Sequence, residues 1–304
     1  MAFGKKKRLA VKLNVFREVY FDIDFYRSCS SFMVGIILSL NGSLVQFFMG
    51  NVLADVSTLG ANALAVLLVL ISYLIDGPNK IFFPFFLLVL IFLLFLWSGK
   101  KKQTWPLWKK SSPDRILLIG LCFNLLVGAI FSLGHFIFLA LNRPFPSSLW
   151  YGSVRFTHSY MFFSLVVLLI FNYLFLGPKL ISSLEMINLG RRFALGQRVM
   201  EFRIAPNIIF ISLVNSVVII SFFGVFSFAG VVFPLILRLF SPFRFSLQKE
   251  IYGGALFSGF AFFILDFCCY NFPLYGVELP LGLLTILIGP LFLFFYLLKK
   301  GKTA

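Results

Sequence analysis

Few side chains in this chain of 304 residues have the types and spacing that chemistry requires. The two histidines are His135 and His158, and Ser153 precedes the second by five positions. A serine nucleophile needs a base within hydrogen-bond reach and a third group that orients the base, and no orienting group is evident nearby. The cysteines Cys268 and Cys269 are adjacent, which is not the spacing of a zinc site. We predict no catalytic residue, no metal site and no cofactor bound by this chain. A membrane-embedded enzyme using Ser153 and His158 is an alternative.

The composition places the chain in a membrane. Hydrophobic residues make up 60% of it and charged residues 12%, a balance that a soluble domain cannot bury. About 20 apolar residues span a bilayer as a helix, and every backbone amide in lipid must be bonded within its own segment. We therefore predict an all-α, polytopic membrane helix bundle with about nine spans. The predicted spans are 29–49, 57–75, 80–97, 116–141, 157–177, 206–225, 227–241, 253–272 and 280–298.

The net charge of +16 lies mainly in the connectors on one side. If the nine spans alternate, seventeen of the 27 basic residues fall in 98–115, 178–205, 238–249 and the C-terminal tail. The opposite connectors contain Lys80, Arg143 and Arg155. Basic residues concentrate in cytoplasmic loops, so we predict a multi-pass protein with a cytoplasmic C-terminus. We attribute the distribution of basic residues to orientation in the lipid bilayer, and we predict no nucleic-acid partner.

The first 27 residues contain the seven remaining basic residues. Nine spans would place this segment outside, against the charge rule. Three arrangements are open. The N-terminal segment is cytoplasmic and the first apolar block re-enters the membrane, or part of the segment helps to cross the membrane, or the topology is unusual. We divide the chain into a basic N-terminal segment, 1–27, and a transmembrane domain, 28–304.

Several polar residues lie within or beside the spans. Gln46 and Asp266 need a partner or an aqueous path, because polar groups in lipid are costly. Gly50 and Asn51 suit a helix end, and Asp55 is placed to cap the helix that follows. Near the C-terminus, Glu278 precedes a proline that fits a first helical turn. The residues predicted to line a path or pack helices are Gly42, Gln46, Asn51, Asp55, Gly230, Pro234, Asp266, Glu278, Pro280, Gly282, Thr285 and Gly289.

The connector 178–205 predicts two short amphipathic helices. Ser182 and Glu185 have the spacing of a capping box, and Gly190 ends the first helix. Such a pair could dock a soluble partner or lie as a basic helix on anionic lipid, and both interpretations stay open from the residues alone. The docking surface predicted here comprises Ser182, Glu185, Leu189, Gly190, Arg191, Arg192, Ala194, Leu195 and Gly196.

Four segments together resemble the FecCD family, the transmembrane subunits of ABC importers for ferric siderophores, haem and vitamin B12. The pattern VG-x-x-L-x-L-x-G-x-x-x-Q, then N-P-L-A-D-P and L-G, is matched at Val34, Gly35, Leu38, Leu40, Gly42, Gln46, Asn51, Leu53, Ala54, Asp55, Leu59 and Gly60. The pattern G-P-I-G-F-V-G-L-V-V-P-H-I-A-R is echoed at Gly224, Phe228, Gly230, Val232, Pro234, Ile236 and Arg238. The closing E-L-P-V-G-x-x-T-x-L-I-G is matched at Glu278, Leu279, Pro280, Gly282, Thr285, Leu287, Ile288 and Gly289. The cytoplasmic L-G…A…L-G segment is matched loosely at Leu189, Gly190, Ala194, Leu195 and Gly196. Departures are Val52 and Val56 for two prolines, Leu235 for a histidine, and nine spans where the family usually has ten.

The resemblance implies the architecture of a type II ABC importer permease in a bacterial cytoplasmic membrane. Two permease subunits, alike or different, would line a central path, and an extracytoplasmic binding protein would deliver the cargo. Cytoplasmic ABC ATPase subunits would bind the connector at 182–198 and use the ATP. The chain's own Gly-Lys-Thr at 301–303 lacks the upstream glycine of a phosphate loop. A degenerate or accessory subunit without transport activity of its own is the alternative.

Overall fold

The structure, a computed structural model, describes residues 2–76, 113–142, 149–155, 157–199, 201–240, 246–273 and 277–301. Ten α-helices and no β-strand occur in these ranges, so the predicted all-α class is confirmed. The predicted span 80–97 lies outside the described residues. The helices are α1 (Ala2–Met49), α2 (Ala61–Asp76), α3 (Pro113–Ala140), α4 (Ser159–Phe175), α5 (Pro178–Leu189), α6 (Arg191–Gly196), α7 (Glu201–Phe223), α8 (Ala229–Phe240), α9 (Leu247–Asn271) and α10 (Leu281–Gly301).

Five of these helices are long and apolar enough to cross a membrane. A sixth span is possible if α4 and α5, which meet at a bend of 64°, count as one broken span. The five segments are Phe25–Met49, Leu118–Ala140, Ile204–Phe223, Leu247–Asn271 and Leu281–Leu298. The predicted count of about nine is therefore not reached among the described residues.

Two predicted spans contain helices whose described parts are shorter than a full crossing. In the block 57–75 the helix α2 begins only at Ala61, after a turn at 50–60. In the block 227–241 the helix α8 has 12 residues, which rise about 18 Å against a hydrocarbon core of about 30 Å. Both blocks are apolar along their length, but part of each is non-helical backbone packed inside the protein, which membrane proteins tolerate.

Helix α1 is the centre of the bundle. Of its apolar span, 78% is buried, against 11% for α3 and 22% for α10. It packs most extensively on α9, and also on α8, α4 and α7. Gly35 lies against the backbone of α9, where an added Cβ would come within 2.6 Å of the Ser258 carbonyl oxygen. Gly42 likewise meets the backbone of Gly230 in α8. Small residues therefore let three helices approach closely, as in other membrane bundles.

Three asparagines link α1, α4 and α7 inside the bundle. The side chains of Asn172 and Asn215 each donate a hydrogen bond of 2.8 Å to the other. Asn215 also donates to Asn41 Oδ1 at 3.3 Å, and Asn41 donates to the Ser212 carbonyl oxygen at 3.4 Å. Because polar groups in lipid need protein partners, this chain of amides favours one relative placement of the three helices.

We expect Gly42→Ala to destabilise the fold, because an added methyl group would collide with the backbone of Gly230. Overpacking of this kind costs about 1–3 kcal/mol. Gly128→Ala in α3 is the matched control, since its Cβ would meet only a Trp150 ring carbon at 4.0 Å. Equilibrium unfolding of the detergent-solubilised protein measures both variants. Equal effects of the two substitutions would contradict the proposed close contact.

Candidate functional site

A buried ion cluster lies at the end of the bundle where α10 begins. The Arg27 guanidinium binds the carboxylate of Asp266 in α9 with two hydrogen bonds of 3.0 Å, from Nε to Oδ2 and from Nη2 to Oδ1. Its Nη1 donates to Glu278 Oε2, also at 3.0 Å. This paired geometry is the strong, directional form of an arginine–carboxylate contact.

Two more groups complete the cluster. Arg155, half exposed in the connector before α4, places Nε 3.4 Å from the same Glu278 oxygen. The Arg27 guanidinium also lies 4.9 Å from the centre of the Tyr270 ring, where the ring face attracts a cation. Two positive and two negative side chains balance, and this compensation explains how Asp266 is tolerated within a spanning helix.

The sequence predicted that Asp266 needs a partner but did not identify Arg27. Arg27 lies near the start of the apolar span Phe25–Met49, and we assigned it to the basic N-terminal segment. The boundary placed after residue 27 falls inside the continuous helix α1. The signal that could have paired them is an arginine near the start of one apolar span in a sequence that has an aspartate within another span.

The turn at 50–60 follows α1 and contains two predicted site residues. The predicted helix end is confirmed, because α1 stops at Met49 and Gly50 has a φ of +65°. The Asn51 amide donates to the Gln46 carbonyl oxygen at 3.2 Å, and Asn51 Oδ1 accepts from the Leu53 amide at 3.0 Å. These bonds satisfy backbone groups that a helix end leaves open.

The prediction that Asp55 caps α2 is wrong. Helix α2 begins six residues later, at Ala61, and the Asp55 carboxylate accepts a hydrogen bond of 3.1 Å from the Ser57 hydroxyl instead. The Asp55 amide donates to the Thr58 hydroxyl oxygen at 2.9 Å. Hydroxyls two and three residues away are nearer partners than the distant helix amides, so the aspartate organises its own turn.

The Asp55 carboxylate also reaches α8. Its Oδ1 lies 2.6 Å from the position that a Cβ on Gly230 would occupy, so a side chain at Gly230 has no room. Gly42 and Gly230 are in contact at the same place, and Pro234 follows one turn along α8. Gln46 is buried one turn beyond Gly42, and its amide group has no hydrogen-bond partner among the described residues. The structure therefore brings Gly42, Asp55 and Gly230 together.

The start of α10 is held by its backbone. The Gly282 amide donates to the Gly152 carbonyl oxygen at 2.6 Å, and the Thr285 hydroxyl donates to the Gly282 carbonyl oxygen at 2.8 Å. Gly289 lies against Phe228 just before α8. Pro280 immediately precedes the first helical residue and does not itself occupy the first turn, a difference of one position.

The predicted capping box at Ser182 is also wrong. Helix α5 begins at Pro178, so Ser182 lies within it and its hydroxyl donates to the Lys179 carbonyl oxygen at 3.1 Å. Pro178 takes the first helical position, where its missing N–H costs nothing. Glu185 accepts a hydrogen bond of 3.3 Å from the Leu247 amide, at the N-terminus of α9. The glutamate therefore stabilises the start of a different helix from the one expected.

Helices α5 and α6 form a partly anchored surface, which we call the α5–α6 surface. Gly190 separates them with a φ of +144°. One face of α5 is buried in the apolar core with the end of α1, and Ala194 of α6 is buried there too. The exposed part of the α5–α6 surface consists of the side chains of Leu189, Arg192, Phe193, Leu195 and Arg198, with the backbone of Gly196. Three exposed apolar side chains on a fixed, basic support have the character of a docking site.

Ser153 and His158 are not arranged for catalysis. The Ser153 hydroxyl oxygen accepts from the Arg155 amide at 3.3 Å, and the His158 ring stacks on Tyr160 with ring centres 5.6 Å apart. Within the described residues no hydrogen bond joins the serine to the histidine. The alternative of a membrane-embedded enzyme therefore lacks the nucleophile–base contact on which it depends.

Comparison with known proteins decides the family. The sequence profile of the FecCD transport family matches residues 6–300 of this chain. The chain belongs to the FecCD transport family. A similar curated protein is the vitamin B12 import system permease protein BtuC of Vibrio vulnificus (strain CMCP6), 26% identical over 287 residues, which are 90% of this chain and 80% of that protein.

A solved structure shares the fold of this FecCD-family chain. It is an inward-facing conformation of a transporter assigned to the metal-chelate type of ABC transporters. The TM-score is 0.68 at 21% sequence identity, and the alignment covers 94% of this chain and 89% of the other. The helical bundle described above is thus an ABC permease fold, and the chain is a transport subunit of the ABC importer permease type.

We expect the Arg27–Asp266 pair to show strong coupling in a double-mutant cycle. Arg27→Met leaves buried carboxylates uncompensated and should cost about 3–5 kcal/mol of unfolding free energy. Asp266→Leu should cost a similar amount, and the double variant should be more stable than the sum of the two losses predicts. Arg155→Met is the control, with an expected loss below about 1 kcal/mol, because Arg155 is 45% exposed. Additive losses for Arg27 and Asp266 would exclude the direct interaction.

Proposed function

We propose that this chain is the permease subunit of an ABC importer that moves an iron chelate, haem or cobalamin across a bacterial cytoplasmic membrane. A separate cytoplasmic ATPase subunit would hydrolyse the ATP. The observation that carries the proposal is the family match over residues 6–300, joined to an ABC permease fold. The relative from Vibrio vulnificus is named for vitamin B12 import, which makes cobalamin the first cargo to test.

The α5–α6 surface supports the proposed ATPase contact. A coupling element must be rigidly connected to the helices that it moves, and must also present side chains to its partner. The buried face of α5 provides the connection through Leu184 and Ile187. Leu189, Phe193 and Leu195 are exposed beside Arg192, and protein interfaces are enriched in aromatic and arginine side chains.

The two ends of the bundle support an orientation. The α5–α6 surface packs near the end of α1 at Met49, while the ion cluster lies at Arg27. These positions are 22 residues apart in one helix, about 33 Å at 1.5 Å per residue. The basic connectors predict that the α5–α6 surface and the C-terminus are cytoplasmic. The ion cluster would then face the extracytoplasmic side, where a binding protein would deliver cargo.

The exposed faces of α3 and α10 support a second permease subunit. Only 11% of the α3 span and 22% of the α10 span are buried within this chain. Lipid can cover the apolar side chains of both helices. A second permease copy, identical or different, placed against these helices would cover them as well, and a transport path would run between the two copies.

An accessory role without transport remains the second candidate. It is favoured by the positions at which the sequence departs from the family pattern, Val52, Val56 and Leu235. Purification from native membranes followed by reconstitution separates the two functions. ATP-dependent uptake of cobalamin, haem or a ferric siderophore by proteoliposomes supports the importer. A complex that contains an ATPase and binding protein but transports none of the three cargoes supports the accessory role.

We expect Phe193→Ala to weaken ATPase binding by about tenfold or more, as loss of an aromatic interface anchor does. Recovery of the ATPase on an affinity-tagged permease, and cargo-stimulated ATP hydrolysis, provide the measurement. Phe163→Ala in α4 is the matched control, because Phe163 is 59% exposed and Phe193 is 52% exposed. Full ATPase recovery and hydrolysis with the Phe193 variant would remove the α5–α6 surface from the proposed contact.

Gly196 provides a cleaner test than its neighbours. Nothing lies within 4 Å of a Cβ added at Gly196, whereas Ala194 is buried and Gly190 has a left-handed backbone. Gly196→Trp should therefore fold normally and lower ATPase binding by steric exclusion. Gly128→Ala in α3 controls for glycine replacement in a helix. If the tryptophan variant binds the ATPase as tightly as the unmodified protein, the partner does not cover this part of the surface.

A further inference from the structure

The ion cluster joins four segments that are far apart in sequence. Arg27 is in α1, Asp266 is in α9, Glu278 precedes α10, and Arg155 precedes α4. All four meet at one end of the bundle. A change in the position of any one segment at this end must therefore break or exchange an ion pair.

Burial divides the cluster into a fixed part and an exchangeable part. The Arg27 and Asp266 side chains are 8% and 7% exposed and share two hydrogen bonds. Glu278 is 21% exposed and uses one oxygen, Oε2, for both arginines. Water reaches Glu278 but hardly reaches the Arg27–Asp266 pair, so Glu278 is the member that can leave at the lower cost of desolvation.

Glu278 is also the member that controls α10. It stands three residues before the helix, and the Gly282–Gly152 backbone bond is the neighbouring attachment of the same helix start. The body of α10 is mostly unburied within this chain. Besides the apolar packing of Leu281, the start of α10 is linked to α1 by the ion pair of Glu278 with Arg27. Release of Glu278 would leave the Arg27–Asp266 pair intact.

We propose that this ion cluster is a lock on the end of the bundle at which α10 begins. Arg27 and Asp266 form its fixed part. Glu278 is its exchangeable part and leaves Arg27 when the transport path opens to that side. Arg155 stays paired with Glu278 as it moves, because Arg155 binds the same carboxylate oxygen from the solvent-exposed edge. The inference rests on the proposed function, which supplies the alternating opening, and on the proposed orientation, which makes this the extracytoplasmic end.

Cys269 provides a reporter inside the protein. It lies one turn beyond Asp266 in α9, is 3% exposed, and belongs to the same apolar cluster as Leu281, the first residue of α10. Movement of the start of α10 would uncover its thiol. Replacing Cys29, Cys122 and Cys268 by serine leaves Cys269 as the single cysteine.

The experiment measures labelling of Cys269 by a membrane-impermeant maleimide in lipid nanodiscs. Glu278→Gln should accelerate labelling of the permease by about tenfold, because a charge-assisted hydrogen bond to Arg27 is lost. Glu250→Gln is the matched control, since Glu250 pairs with Arg238 near the other end of the bundle, and its labelling rate should stay unchanged. Equal rates for the two variants would overturn the lock, and this comparison needs no ATPase.

The second arm uses the complex with its ATPase and the unmodified cluster. Nucleotide-free and vanadate-trapped samples should differ in the Cys269 labelling rate if the lock opens during the cycle. A complex that imports cargo but labels at one rate in both states would overturn the inference and leave the proposed function standing. Failure to recover any ATPase would count against the proposed function alone, with the lock still decided by the two glutamate variants.

Discussion

The structure depends on a single constraint, that lipid offers no partner for a charge. Asp266 lies within the apolar helix α9, five residues before its end, where an unpaired carboxylate is costly. Arg27 compensates it through two hydrogen bonds of 3.0 Å. The same arginine binds Glu278, so the first spanning helix, the ninth helix and the start of the last helix share one anchor. Charge compensation inside the protein thus decides where three of the helices meet at this end.

Close packing extends this arrangement along the rest of α1. Gly35 meets α9 and Gly42 meets α8, which lets the backbones touch without a side chain between them. The three linked asparagines fix α4 and α7 on the other side. Because helices in lipid gain little from apolar burial alone, close contact and internal hydrogen bonding are the terms that specify this bundle.

The two ends of the bundle have different characters. At one end the α5–α6 surface presents Leu189, Phe193 and Leu195 on a support that is anchored in the core. At the other end, four compensated charges hold α10 near α1 and α9.

The sequence by itself determined that the protein lies in a membrane, that it is helical and which family it belongs to. The length of the hydrophobic segments and the order of the motifs from residue 34 onward are local properties. It also located the end of α1 at Gly50 and the division between α5 and α6 at Gly190, where backbone conformations favour glycine. Partnerships over long distances were decided only by the tertiary structure. Glu185 stabilises α9 in place of α5, across 62 positions, and Arg27 binds Asp266 across 239 positions. A helix-capping prediction considers only residues that are close in sequence. A carboxylate binds whichever donor the fold brings within about 3 Å, and that donor is determined only when the helices have packed.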